Sequence, residues 1–245
     1  MNDVQMFDYM VDKATGATYR FETAGNVFIP THTTQLLIQA ARRTISRPGK
    51  LLDLGCGIGV CGLVLAKLGS CQPPVYLSDV SEKAAGLALR NAERMGLPVE
   101  VRSGSLFSPW AGERFDVILD DVSGVCEESA RFSPWFAEGV ACETGRDGAD
   151  LVVAVLEQAD RHLAPEGVLL FPVLSLSNAD RILETARARF REVSLVAEQS
   201  WFLPEELLKH WDLLEQLMKQ QTIRLEQKFG RWLWSTQIYR AGNNP

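Results

Sequence analysis

Leu51-Leu52-Asp53-Leu54-Gly55-Cys56-Gly57-Ile58-Gly59 is an apolar run that ends in an acid and then places three glycines at alternate positions. Val60, Leu63, Val64 and Leu65 follow at helical spacing. A strand, a glycine turn and a helix in this order let backbone pass close to a ligand, which side chains would prevent. The next apolar run ends at Asp79, twenty residues beyond Gly59. An acid at that distance sits at the tip of the second strand, where it reaches a ribose diol. The alternative is a tight turn with no ligand. An acid, three glycines, a helix and a second acid together favour the ligand.

Outward from this stretch, strands and helices alternate. Strands are predicted at Lys50–Leu54, Val75–Ser78, Val99–Arg102, Phe115–Leu119 and Gly167–Val173, with helices at Val60–Leu68, Glu82–Met95 and Leu151–Leu163. A helix at Thr33–Thr44 precedes them, and another opens after Asn178. Strands near Val193–Glu198 and Arg231–Arg240 close the chain, with a helical stretch at 203–218 between them. The expected architecture is α/β: one Rossmann-like domain over 1–245, a seven-stranded, mostly parallel sheet with the last strand antiparallel and helices on both faces. Residues 1–30 read as an N-terminal lead-in or lid. Residues 200–228 read as a helical insertion over the site, because the preceding strand ends on the ligand side. A dimer interface is the competing account of both segments.

Composition sets the limits. Hydrophobic residues make up 46% and charged residues 23% of the 245, enough to bury a core, so disordered and collagen-like classes are excluded. The net charge of −6, with no basic stripe, lowers the expectation of a nucleic-acid partner. No apolar run reaches the roughly 18 residues of a membrane helix. The polar, acidic start and an odd set of five cysteines point to reduced thiols in the cytoplasm. Cys61, Cys71, Cys126 and Cys142 lack C-x-x-C spacing and there is no H-E-x-x-H, so no metal is expected.

A dinucleotide fingerprint would read G-x-G-x-x-G. Here the spacing is G-x-G-x-G after an acid, which resembles motif I of class I S-adenosylmethionine-dependent methyltransferases. The likeness extends to the HemK-type release-factor glutamine methyltransferases. It runs through Phe28–Leu37, Asp79–Ala84, Asn91–Leu97, Gly104–Ser108, Phe115–Leu119, Arg146–Leu151 and Leu163–Leu170. The resemblance implies S-adenosylmethionine as cofactor. It implies a binding set of Thr31, Thr34, Asp53, Gly55, Cys56, Gly57, Gly59, Asp79, Val80, Ser105, Leu106 and Asp120, with Asp53 near the methionine amine and Asp79 on the ribose.

Two positions depart from that family. Its acid in "GDLF" is Ser105 here, and its NPPY motif is replaced by Asp120-Asp121-Val122-Ser123-Gly124. By position Asp121 stands for the asparagine and Gly124 for the tyrosine. Asparagine offers a donor and an acceptor, whereas an ionised aspartate only accepts. Glutamine, adenine and cytosine are therefore not expected to be recognised in the family's way. A solvated or capping loop is the bland account of the two aspartates.

The catalytic candidates are Asp121 first and His32 second. Phe132, Trp135 and Phe136 are candidates for an aromatic pocket or for core. The expected function is methyl transfer to oxygen or nitrogen of a small molecule. The alternatives are a protein-glutamine or other macromolecular methyltransferase, an enzyme using the same cofactor for cyclisation or decarboxylation, and a cofactor-binding module without turnover.

Overall fold

Leu51 and Leu52 are both buried but join different hydrophobic clusters, as neighbours on a strand between two helical layers must. In the computed structural model their strand lies in the middle of one sheet. The structure describes residues 5–12, 17–136 and 144–243. Cys142, and residues 1–4 and 13–16 of the lead-in, lie outside them.

A hairpin comes first, β1 (Gln5–Asp12) and β2 (Ala17–Thr23). It is followed by α1 (His32–Thr44), β3 (Leu51–Leu54), α2 (Val60–Lys67), β4 (Val75–Asp79), α3 (Glu82–Met95), β5 (Val99–Ser103) and β6 (Phe115–Asp120). The remainder is α4 (Glu127–Ala130), α5 (Asp150–Ala159), β7 (Leu163–Leu174), α6 (Ala179–Arg189), β8 (Glu192–Phe202), α7 (Glu205–Leu208), α8 (Trp211–Lys219), β9 (Glu226–Lys228) and β10 (Arg231–Gly242). The sheet order is β5-β4-β3-β6-β7-β10-β8, with β9 paired to β10. β3 to β7 pair in parallel. β10 is antiparallel to β7 and to β8, so β8 runs with the first five. This is the expected mostly parallel sheet, to which β9 adds an eighth strand.

Several elements differ from expectation. The lead-in is a hairpin, because Tyr9 and Phe21 are buried in the core between the exposed neighbours Asp8, Met10 and Arg20. The helix expected to reach Leu163 stops at Ala159, because Phe115 pairs with Leu163 and draws that residue into β7. The stretch 203–218 is two short helices. His210 leaves helical geometry between them, and its ring stacks on Phe132 at 3.7 Å.

β3 ends where the strand order reverses, with β4 on one side and β6 on the other. Ligand crevices in open α/β sheets form at such a point, outside the carboxyl ends of the strands. No described helix is long and apolar enough to cross a membrane.

Candidate functional site

The glycine loop after β3 is pinned from below. Gly55 and Cys56 both donate to the Ser78 carbonyl at 2.9 Å, which fixes the loop to the end of β4. Gly55, Gly57 and Gly59 all have positive φ. A side chain on Gly55 would meet Val122 at 2.9 Å. One on Gly57 would meet nothing nearer than the Phe28 carbonyl at 3.9 Å, because it would project into open space.

That space is a cavity of about 400 Å³, within the usual ligand-pocket range of roughly 300–1,000 Å³. The loops after β3, β4, β5 and β6 line it, with Asn26, Phe28 and Thr31 from the segment before α1. Thr31, Thr34, Gly55, Cys56, Gly57, Asp79, Val80, Ser105, Leu106 and Asp121 all face it, as do Trp135 and Phe136. Val80 is 72% exposed, an apolar surface left bare at the mouth.

Four of the expected binding and catalytic residues do not line the crevice. Asp53 is fully buried beneath the loop, where its Oδ2 accepts from the Gly62 amide at 2.8 Å and its Oδ1 has no partner. Asp120 is fully buried too, with Oδ1 accepting from Val122 and Oδ2 unpartnered. Gly59 caps α2. His32 opens α1, stacks on Trp201 at 5.3 Å and borders a second cavity. Phe132 turns away to His210. No residue of 200–228 lines the crevice. Leu203, Leu207, Leu214, Leu217 and Ile223 instead form a hydrophobic cluster behind Trp135 and Phe136.

Asp79 links loop to loop. Its Oδ2 accepts from Gly57 at 2.8 Å and its Oδ1 from Ser81 at 2.9 Å. Burial nevertheless raises its pKa. Asp121 Oδ2 accepts from the Thr34 hydroxyl at 3.0 Å and from the Cys61 thiol at 3.6 Å. Its Oδ1 accepts from no described residue. Burial pushes Asp121 up to about 7 and Asp53 up to about 8, and raises Asp120 as well. The common cause is desolvation, and no arginine, lysine or histidine is among the described lining residues. Nor do three His, Cys, Asp or Glu among the described residues converge as a metal site. A crevice whose carboxyls lack any counter-charge suits an organic cation. S-adenosylmethionine is one, with a sulfonium and an ammonium, so the residues present fit it.

Among the lining residues that sequence reasoning missed, three bear on the chemistry. Ser123 lines the crevice and its buried hydroxyl has no partner. Trp234, from β10, lies 4.8 Å from Trp135, centroid to centroid. Cys61 bonds Asp121 from the first turn of α2. The alternation of β10 was legible, but not that its buried face reaches the crevice.

Residues 18–121 match the family model "Methyltransferase small domain". The release factor glutamine methyltransferase of Geobacter sulfurreducens is 32% identical over 172 residues, covering 66% of this chain and 58% of that one. The ribosomal protein uL3 glutamine methyltransferase of Francisella tularensis is 27% identical over 174 residues, 67% of this chain and 55% of that one. The chain thus spans little more than half the length of these relatives. Among solved structures, the 16S rRNA N2 G1207 methyltransferase of T. Thermophilus, in complex with AdoMet and guanosine, superposes with a TM-score of 0.63 at 18% identity, over 98% of this chain and 51% of that one. The fold is that of the Rossmann-like class I methyltransferases, and the likeness read from motif I holds.

Proposed function

We propose that this chain, whose residues 18–121 form a methyltransferase small domain on the class I fold, transfers the methyl group of S-adenosylmethionine to a side-chain nitrogen of a protein, with the glutamine carboxamide as acceptor. The relatives' names favour a protein acceptor over the small molecule expected from sequence. The observation that carries the reading is the pair Asp121 and Ser123 on the crevice wall. Asp121 supplies an acceptor for an amide N–H. The unpartnered Ser123 hydroxyl supplies a donor for the amide oxygen. Together they replace the two functions of the asparagine that the sequence lacks.

When bound, S-adenosylmethionine supplies an electrophilic methyl carbon. Asp79 and the Gly57 backbone would hold it, with Val80 and Leu106 as apolar walls. Asp121 Oδ1 orients the acceptor nitrogen and takes up the proton that nitrogen must lose. A nearby cation lowers the pKa of Asp121, so the carboxylate is ionised when it is needed. Phe28, Trp135, Phe136 and Trp234 exclude water from the mouth.

A second reading is an amine acceptor, favoured by the same aromatic rings beside an uncompensated carboxylate. Methyl-tritiated S-adenosylmethionine with glutamine-containing and lysine-containing peptide pools separates the two. The expected product is N-methylglutamine. Methyl-lysine alone would transfer the assignment to amines. Tight cofactor binding with no transfer to either pool would end the protein-acceptor reading.

A further inference from the structure

A second cavity of about 500 Å³ lies beside the crevice and shares Pro30, Thr31 and Trp135 with it. Phe7, Asp8, Tyr9 and Met10 of β1 line it together with Ile29 and His32. Side chains on a strand alternate between faces. Four consecutive strand residues therefore border one cavity only where it runs along the strand's edge.

The direction of the backbone groups follows from β2. The Glu22 amide donates to Asn91 Oδ1 at 2.6 Å, and the Glu22 carbonyl accepts from Asn91 Nδ2 at 3.0 Å. Both Glu22 groups thus point away from β1. Met6 faces Glu22 in the antiparallel register, so its own groups point away from β2. The period of two gives Asp8 and Met10 the same outward direction. Among the described residues β1 pairs only with β2. The outward N–H and C=O of Asp8 and Met10, about 7 Å apart along the strand, therefore lie on the edge of β1 that its cavity-lining residues share. No lysine or proline in β1 guards this edge, and the Asp8 charge is engaged by Arg20 at 2.8 Å.

We infer that an extended segment of the acceptor polypeptide docks here as a third strand on β1, with one residue turned past Thr31 and Trp135 into the crevice. The inference rests on the protein acceptor proposed above. The occupant is a polypeptide because paired donors and acceptors at strand spacing match another strand's backbone. Met10 and Ile29, 45% and 46% exposed, present apolar surface to its alternate side chains. Continuity with the crevice gives the docked segment a reactive end.

The test is a random peptide library displayed on phage, panned against the protein loaded with S-adenosylhomocysteine, followed by calorimetry with a selected synthetic peptide. Met10→Pro removes an outward N–H and leaves the bonds to β2 in place. Met10→Trp fills the cavity without altering the backbone, and covers the case in which the proline variant does not fold. Each is expected to weaken the peptide about tenfold or more, with the affinity for S-adenosylhomocysteine unchanged. Amide exchange at Asp8 and Met10 is expected to slow when peptide is added. Failure to select a peptide, equal binding by wild type and Met10→Trp, or protection confined to other elements would each overturn the inference. A peptide that protects β1 but is never methylated leaves the docking edge standing and removes only the acceptor assignment.

Discussion

Asp121 is where one residue separates competing chemistries. If it takes up the proton of a carboxamide nitrogen, Asp121→Asn removes the base, so kcat on a glutamine peptide falls roughly a hundred- to ten-thousand-fold, whereas a fall of only about tenfold would leave it an orienting acceptor. If it deprotonates an amine instead, the large loss appears on a lysine peptide. Single-turnover rates with each peptide class decide between them. Gly57 tests the cofactor. Gly57→Val places a branched side chain in open crevice, so it should abolish S-adenosylmethionine binding by calorimetry. Its positive φ adds strain of about 1–2 kcal/mol, and the variant should still melt cooperatively. Persistence of tight binding would mean that the ligand lies elsewhere. Asp79 is less clean as a test, because it also secures Gly57 and Ser81 and its removal loosens two loops at once.

At the scale of elements, Asn91 joins α3 to two others. It is buried, and besides its two bonds to Glu22 its Nδ2 donates to the Ile58 carbonyl at 3.0 Å. Asn91→Ala leaves these backbone groups short of partners at about 1–3 kcal/mol. That corresponds to a melting temperature lower by a few to about ten degrees, accompanied by faster proteolysis in β1 and β2. An unchanged melt would show that the hairpin is held by Tyr9 and Phe21 alone. The sheet was legible in sequence because buried strands and glycine turns are local signals. The hairpin was not, since its alternation is short and its burial depends on α3, far along the chain. Among site residues, those in the glycine loop and at strand tips were readable from spacing. Ser123, Cys61 and Trp234 were not, because their roles arise from packing between distant segments. Conversely, Asp53 and Asp120 stand at strand ends, yet lie under the loop and outside the crevice wall.

For the molecule as a whole, the raised carboxyls link charge to pH. Asp53 and Asp121 hold protons in the folded state up to about pH 8 and 7, whereas the unfolded chain releases them near the ordinary value of 3.8. The folded state therefore binds more protons in that window, and stability of the ligand-free protein falls as pH rises from about 4 to about 8. A cationic ligand favours the ionised carboxyls, so S-adenosylmethionine should bind more tightly as pH rises through about 7, with proton release. S-adenosylhomocysteine, which lacks the sulfonium, should show a flatter profile. Calorimetry in buffers of different ionisation heat reads both, and a pH-independent affinity for S-adenosylmethionine would refute the linkage. The amide of Asn91 carries a further consequence. One nitrogen holds a carbonyl of the glycine loop and a carbonyl of the strand next to β1. A ligand that stiffens the loop thereby stiffens the hairpin, and a guest on the hairpin steadies the loop. Thermodynamic reciprocity then makes the two guests cooperative by one shared factor: whatever the cofactor product adds to peptide affinity, the peptide adds to its affinity, and Asn91→Ala should bring both factors toward unity.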